Sequence, residues 1–335
     1  MPQILSFEQA LDASSGAKHR HLLLGNGFSI ACRPGIFVYK RLFEQANFNE
    51  IPRARQAFDA LGTTDFERMI RALRDFAAIS PVYGHRSDEA AADAVALREI
   101  LVSTIAGSHP SRPGDIAVEE YAHCKLFLSH FSRIFTLNYD LLLYWALMQD
   151  EVEPVVSCDD GFRKPDDKSV GYVTWEPENT YAQNIYYLHG ALHLFDAQSE
   201  LQKYTWANTG VPLIDQIRDA LSRNFFPLFV AEGTCMEKCI RIRHSDYLSK
   251  AYRSFIPITG ALFVYGHSLA ENDDHILQVI GWGKTDTLFV SIHQDPESET
   301  NKAIIRKAKS LAALRPPKKP LGLYFFDSES AHVWR

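Results

Sequence analysis

Residues 21–29 read His-Leu-Leu-Leu-Gly-Asn-Gly-Phe-Ser. The apolar run Leu22–Leu24 predicts a buried strand, and it stops at Gly25 with a second glycine at Gly27. Glycines there let the backbone turn sharply into a helix and approach a ligand closely. The N–H groups that open such a helix, helped by its dipole, suit a phosphate, and Ser29 offers one further hydrogen bond. A Gly-x-Gly also serves as a plain strand-to-helix turn in many α/β folds, so it speaks to fold before function.

Outward from this stretch, apolar strands alternate with helical segments. Residues 4–15 predict a short amphipathic helix with Ser6 or Asp12 as cap, and a helix runs from about Val38 to Ala46. From Ile51 to His130 the pattern is helical, with helices opening near Thr64–Glu67 and over 90–104 and 117–130. No strand pattern interrupts it, so residues 49–130 are expected to be a helical insertion in a single domain spanning 1–335. Strands follow at 134–137, 184–188, 225–230, 261–265, 287–292 and 321–326, with helices at 141–148, 212–223, 245–254, from Asn272 or Asp273 to Ile280, and 297–314. Residues 153–184 are irregular, a long loop or small hairpins. The alternation predicts an α/β fold, a Rossmann-like doubly wound parallel sheet with a helical insertion.

The composition is that of an ordinary globular chain: 335 residues, 46% hydrophobic, 23% charged and a formal net charge of -6. The acidic balance gives no indication of direct nucleic-acid binding. The first residues lack the charged start and apolar core of a signal peptide, and no apolar run reaches the ~20 residues that span a bilayer. The five scattered cysteines suit a reducing cytoplasm rather than a disulfide framework.

Four of the predicted strands end in polar or glycine motifs: Gly25–Ser29, Thr136-Leu137-Asn138-Tyr139-Asp140, Leu188-His189-Gly190 and Tyr265-Gly266-His267-Ser268. In open α/β sheets, ligands bind outside the carboxyl ends of the strands. Taken in order, these motifs resemble the sirtuin and SIR2-like superfamily: its glycine-serine phosphate loop, its Thr-x-Asn-x-Asp motif, its His-Gly and its Gly-x-Ser. The resemblance runs from residue 21 to about 295, at scattered motifs only. It implies a site for NAD built from Gly25, Asn26, Gly27, Phe28, Ser29, Thr136, Gly266 and Ser268, with Asn138, Asp140 and His189 in the chemistry. The chain departs from the protein deacylases in having Asn26 where they carry Ala. It also lacks their two Cys-x-x-Cys zinc pairs, since only Cys235-x-x-x-Cys239 comes near. No metal is therefore expected. The better-fitting branch is the NAD-cleaving SIR2-like effectors of bacterial anti-phage defence.

The implied reaction is NAD glycohydrolysis, giving nicotinamide and ADP-ribose. Asn138 offers amide donor and acceptor groups, Asp140 orients and supplies negative charge, and His189 accepts a proton near neutral pH. Each residue also has a plain structural role: Asn-x-Asp after a strand satisfies helix N–H groups, and a histidine there is often only hydrogen-bonded. His193, His267 and His275 are expected to be structural, Asp273 and Asp274 caps, and Lys238, Arg241, Arg243 and His244 a solvated basic face. A dehydrogenase would want a third glycine where Ile30 stands. The rival readings are an NAD or ADP-ribose sensor without turnover and a protein deacylase. An NAD-consuming effector is expected to be restrained by an activating or sensor partner or by homo-oligomer assembly.

Overall fold

A computed structural model describes residues 2–37, 39–165, 171–197, 199–205, 210–223, 225–230 and 235–335. Eleven strands are assigned: β1 (Ile4–Leu5), β2 (Arg20–Leu24), β3 (Arg133–Thr136), β4 (Phe162–Arg163), β5 (Tyr172–Trp175), β6 (Ile185–Tyr187), β7 (Leu194–Asp196), β8 (Leu201–Tyr204), β9 (Thr259–Tyr265), β10 (Lys284–Ile292) and β11 (Gly322–Asp327). Seven form one sheet in the order β1-β11-β10-β9-β2-β3-β6, with every neighbouring pair parallel. From β2 the chain steps outward through β3 to β6, then returns to the other side of β2 and steps outward again through β9, β10 and β11. The order reverses between β2 and β9, which makes that boundary the topological switch point of a Rossmann-like sheet.

Alternation along the strands explains the double winding. Leu22 and Leu24 of β2, with Phe263 and Tyr265 of β9, face one hydrophobic core, while Leu23, Leu262 and Val264 face a second. The first core is closed by Phe7 and Ala10 of the helix Phe7–Ala13 and by Phe127 and Leu128 of the helix Val118–Ser129. The second is closed by Phe255, Ile276, Leu277 and Ile305 from the helices Asp246–Phe255, Asp274–Trp282 and Glu299–Ala313. A strand covered on both faces must be apolar at consecutive positions, and this is why the run at 22–24 reads as it does.

Between β2 and β3 the described chain is helical throughout, with the main helices at Pro52–Leu61, Phe66–Ile79, Asp88–Ser108 and Val118–Ser129. Phe43, Phe48, Phe58 and Phe66 form an aromatic knot there, with Phe43 and Phe58 centroids 4.8 Å apart. These rings belong to the same contiguous core as the sheet face, so the helical excursion packs onto the sheet.

Some local expectations are corrected. Residues 4–15 are not one helix: Ile4–Leu5 pairs with β11 at the sheet edge, and the helix starts at Phe7 behind a Ser6–Gln9 capping box. Of the two readings of residues 153–184, a long loop or small hairpins, the second holds: β4 and β5 pair antiparallel and join β7 and β8 in a separate four-stranded sheet. The stretch 225–230 is not a strand. It makes an isolated bridge between Phe229 and Gly190, and its backbone clamps the turn after β6. Val38, where a helix start was expected, lies outside the described residues; the helix there is Tyr39–Gln45.

Candidate functional site

The turns after β2 and β9 meet at the switch point. Gly25 N–H donates to the Tyr265 carbonyl (2.9 Å) and Gly27 N–H to the Gly266 carbonyl (2.7 Å). A Cβ on Gly27 would lie 2.5 Å from the Gly266 Cα. Gly266, at φ +67°, would place its own Cβ 2.6 Å from the Gly27 Cα. The glycines are thus required by close contact between two backbones and by a left-handed turn.

That contact occupies groups that a bare glycine turn would leave open. Besides Gly25 and Gly27, the N–H of Phe28 donates to the Gly25 carbonyl, and those of Ser29 and Ile30 donate to the Asn26 carbonyl. The opening turn of the helix Gly27–Cys32 is therefore not a set of open donors, which corrects the expected phosphate cradle. Asn26 is fixed through its side chain, whose Nδ2 donates to the Phe37 carbonyl (3.0 Å).

Behind the turn sits a brace of four residues, Ser29, Thr136, Asn138 and Asp140. Asn138 Nδ2 donates to the Gly25 carbonyl (3.0 Å) and to Ser29 Oγ (3.0 Å), and Ser29 Oγ donates to Asp140 Oδ2 (2.5 Å). Asp140 Oδ1 accepts the Leu142 N–H (2.9 Å), and Thr136 Oγ1 accepts the Asn138 N–H (3.0 Å). Both donors of the Asn138 amide are committed, so its Oδ1 acceptor is the atom left for the cleft. Asp140 is turned inward to its serine and the helix start. Burial raises its carboxyl above the usual range, against the Ser29 and Leu142 hydrogen bonds.

Gly25, Asn26, Gly27, Asn138, Asp140, His189, Gly266 and Ser268 line one cleft of about 960 Å³ outside the carboxyl ends of the strands. Its far wall carries Ser298 and Asn301 from the start of the helix Glu299–Ala313, and Leu101 and Ile105 of the helical excursion also face it. The volume suits a nucleotide-sized ligand, within the range of about 300–1,000 Å³ for small-molecule sites. Three predicted residues stand behind the wall. Ser29 and Thr136 belong to the brace, and Phe28 packs its ring on Trp334 at 5.1 Å while its carbonyl accepts the Trp334 Nε1–H (3.0 Å).

His189 is held by its own turn. Gly190, at φ +79°, would put a Cβ 2.0 Å from the Leu228 carbonyl oxygen, and Val230 N–H donates to the His189 carbonyl (2.8 Å). His189 Nε2 lies 2.9 Å from His275 Nε2, with the two rings nearly parallel at 5.1 Å. Asp273 Oδ1 is 3.9 Å from His189 Nε2 and accepts a hydrogen bond from the buried Lys238 Nζ at 3.0 Å. Because Leu269 N–H donates to His267 Nδ1 (2.9 Å), His267 carries its proton on Nε2 and donates it to Asp273 Oδ2 (3.0 Å). Burial, with Lys238, His275 and His267 adding to it against Asp273, holds His189 well below the ordinary histidine value. Burial penalises the Asp273 carboxylate, but His267, His189 and Lys238 outweigh it and keep Asp273 well below the usual range.

Two expectations fail at this cluster. Asp273 sits at the start of the helix Asp274–Trp282 yet makes no side-chain cap, because its oxygens face His267 and Lys238. Lys238 is not on a solvated face but buried against Asp273. His267 and His275, expected to be structural, are both hydrogen-bonded, His267 to Asp273 and the Leu269 N–H and His275 to His189, and both converge on the His189 surroundings. The sequence signal was the clustering of His267, Asp273 and His275 within nine residues after a strand. His189, Asp273 and His275 also bring one ligand atom each within 4.8 Å of one another, the spacing of a small cation site. The donor chemistry fits a cation poorly, because the ammonium of Lys238 and the Nε2–H of His267 already occupy the carboxylate. Cys235 and Cys239, on the helix Cys235–His244, are free thiols.

Among the described residues, no helix is long and apolar enough to cross a membrane. No curated protein matches the chain. One family model, a domain of unknown function designated DUF4917, matches residues 22–334, from β2 through the tryptophan that packs on Phe28. The chain therefore belongs to the DUF4917 family.

Proposed function

We propose that this chain cleaves the nicotinamide–ribose bond of NAD, releasing nicotinamide and ADP-ribose. The observation that carries the reading is convergence. Four strand-end segments far apart in sequence line one nucleotide-sized cleft at the switch point of a Rossmann-like sheet, with a buried, neutral histidine on its wall. Dinucleotides bind at such switch points.

In this reaction the C1′–N bond breaks and its electron pair leaves with nicotinamide, which departs as a neutral ring. The leaving group thus needs no general acid, unlike that of an ordinary glycoside. A water oxygen bonds to C1′, and His189 takes the proton it loses. Asn138 presents Oδ1 to the nicotinamide amide or to the attacking water. Asp140 works from behind, holding Ser29 and through it Asn138. A chain that depletes NAD must be restrained, so the reading includes control by a partner protein or by self-association and a role as an effector of anti-phage defence.

The test is to incubate purified protein with NAD and quantify nicotinamide and ADP-ribose by chromatography. Equimolar appearance of the two products is expected. Tight NAD binding with no release, alone or in assembled form, would replace the enzyme with an NAD-holding sensor.

A further inference from the structure

We propose that His275 is a positioning residue for His189: it accepts the Nε2–H of His189, fixes that tautomer, and so leaves His189 Nδ1 as the proton acceptor in the cleft. The inference rests on the cleavage reading above, which sets the direction of the His189–His275 hydrogen bond, and the tautomer measurement below tests it apart from that reading.

His189 Nε2 is taken by His275 Nε2 at 2.9 Å, so Nδ1 is the nitrogen left for a substrate or water. Two imidazoles in Nε2-to-Nε2 contact cannot both donate while neutral, nor can both accept. A base at Nδ1 requires the proton of His189 on Nε2, which makes His275 Nε2 the acceptor and puts the proton of His275 on its Nδ1. The two rings are nearly parallel and meet edge to edge, so the nitrogens face each other in the geometry of a hydrogen bond.

The surroundings complete the device. When Nδ1 takes a proton, His189 becomes a buried cation, which is costly without a counter-charge. Asp273 Oδ1 stands 3.9 Å from Nε2, and His267 and Lys238 fix that carboxylate from two sides. Lys238 tempers the negative charge, so the resting His189 stays neutral while the carboxylate remains close enough to favour the imidazolium that forms. The logic parallels that of a histidine oriented by a hydrogen-bonded partner in other proton-transfer sites.

The experiment has two readouts on the full chain, wild type and His275→Phe, the latter keeping an aromatic ring at the position and removing the acceptor. The first is long-range ¹H–¹⁵N NMR of histidine-labelled protein. The expected result is a wild-type His189 protonated on Nε2 only, with that preference lost in His275→Phe. A His189 protonated on Nδ1, or a tautomer unchanged by the substitution, overturns the proposal. The second is nicotinamide release. His275→Phe is expected to lower kcat about 10- to 100-fold at unchanged KM for NAD and to move the acid limb of the pH profile, with His275→Gln, which retains an acceptor, recovering part of the loss. An active His275→Phe with wild-type kcat and pH profile also overturns it. Should wild type release no nicotinamide while His189 shows the Nε2–H tautomer dependent on His275, the cleavage reading fails and the positioning role stands.

Discussion

His189→Ala is expected to lose about 10²- to 10⁴-fold in the rate of nicotinamide release, the usual contribution of a general base. The loss is expected in kcat, with NAD still bound, because His189 is one residue on a wall whose glycine turns and Asn138 remain in place. Stability is expected to change little by comparison. The imidazole removed is buried, but it is neutral and its Nε2 hydrogen-bonds to His275, and the backbone turn is set by Gly190 and the Leu228 and Val230 contacts. Rate assays on His189→Ala alongside an equilibrium titration of NAD separate the two effects. A variant that retains half of the wild-type rate would remove His189 from the chemistry.

The second large effect is on stability in mild acid. His21, His109, His189, His193 and His275 are all buried, and burial is the leading cause that lowers each, to about 4 for His21, His109 and His275 and well below 6.5 for the other two. A histidine whose folded pKa lies below its unfolded value binds its proton more readily in the unfolded chain. Its stabilising contribution is complete above pH 6.5 and is lost as pH falls below it. At pH 5.5 each such group costs roughly 1.4 kcal/mol, so five of them reach several kcal/mol against a total stability of about 5–15 kcal/mol. Asp140 works in the opposite sense, because its buried carboxyl is relieved by protonation, but it is a single group. The urea midpoint is therefore expected to fall steeply between pH 7.5 and 5.5. An equal midpoint at both values would mean that these histidines are charged or open to water in the folded state.

The parallel sheet was legible because a strand covered on both faces leaves an uninterrupted apolar run, and Leu22–Leu24, 261–265 and 288–290 are such runs. Their polar ends were equally legible, and the fold gathers those ends at one edge. Contacts that depend on distant partners were not. The 2.9 Å approach of His189 to His275 joins residues 86 apart in sequence, and the Ser29–Asp140 bond joins residues 111 apart. Asp273 has the residue type and position of a helix cap, and only the burial of Lys238 and the turn at Leu269 reveal why it faces inward. The phosphate cradle was misread for a related reason. A glycine turn offers free N–H groups only if no second backbone covers them, and here Gly266 lies against Gly27. The two-residue strand β1 is too short to carry a period, so it merged into the helix that follows it.

The central claim is that NAD lies across the switch point with its nicotinamide ribose beside His189. The most direct measurement is a crystal structure of His189→Ala grown with NAD, in which the uncleaved dinucleotide accumulates. The account predicts the dinucleotide along the cleft lined by Gly25–Gly27, Asn138 and Gly266–Ser268, with the nicotinamide ribose within reach of the space vacated by His189 and of Asn138 Oδ1. Dinucleotide bound elsewhere, or lying in the cleft with its nicotinamide turned away from residue 189, would contradict it.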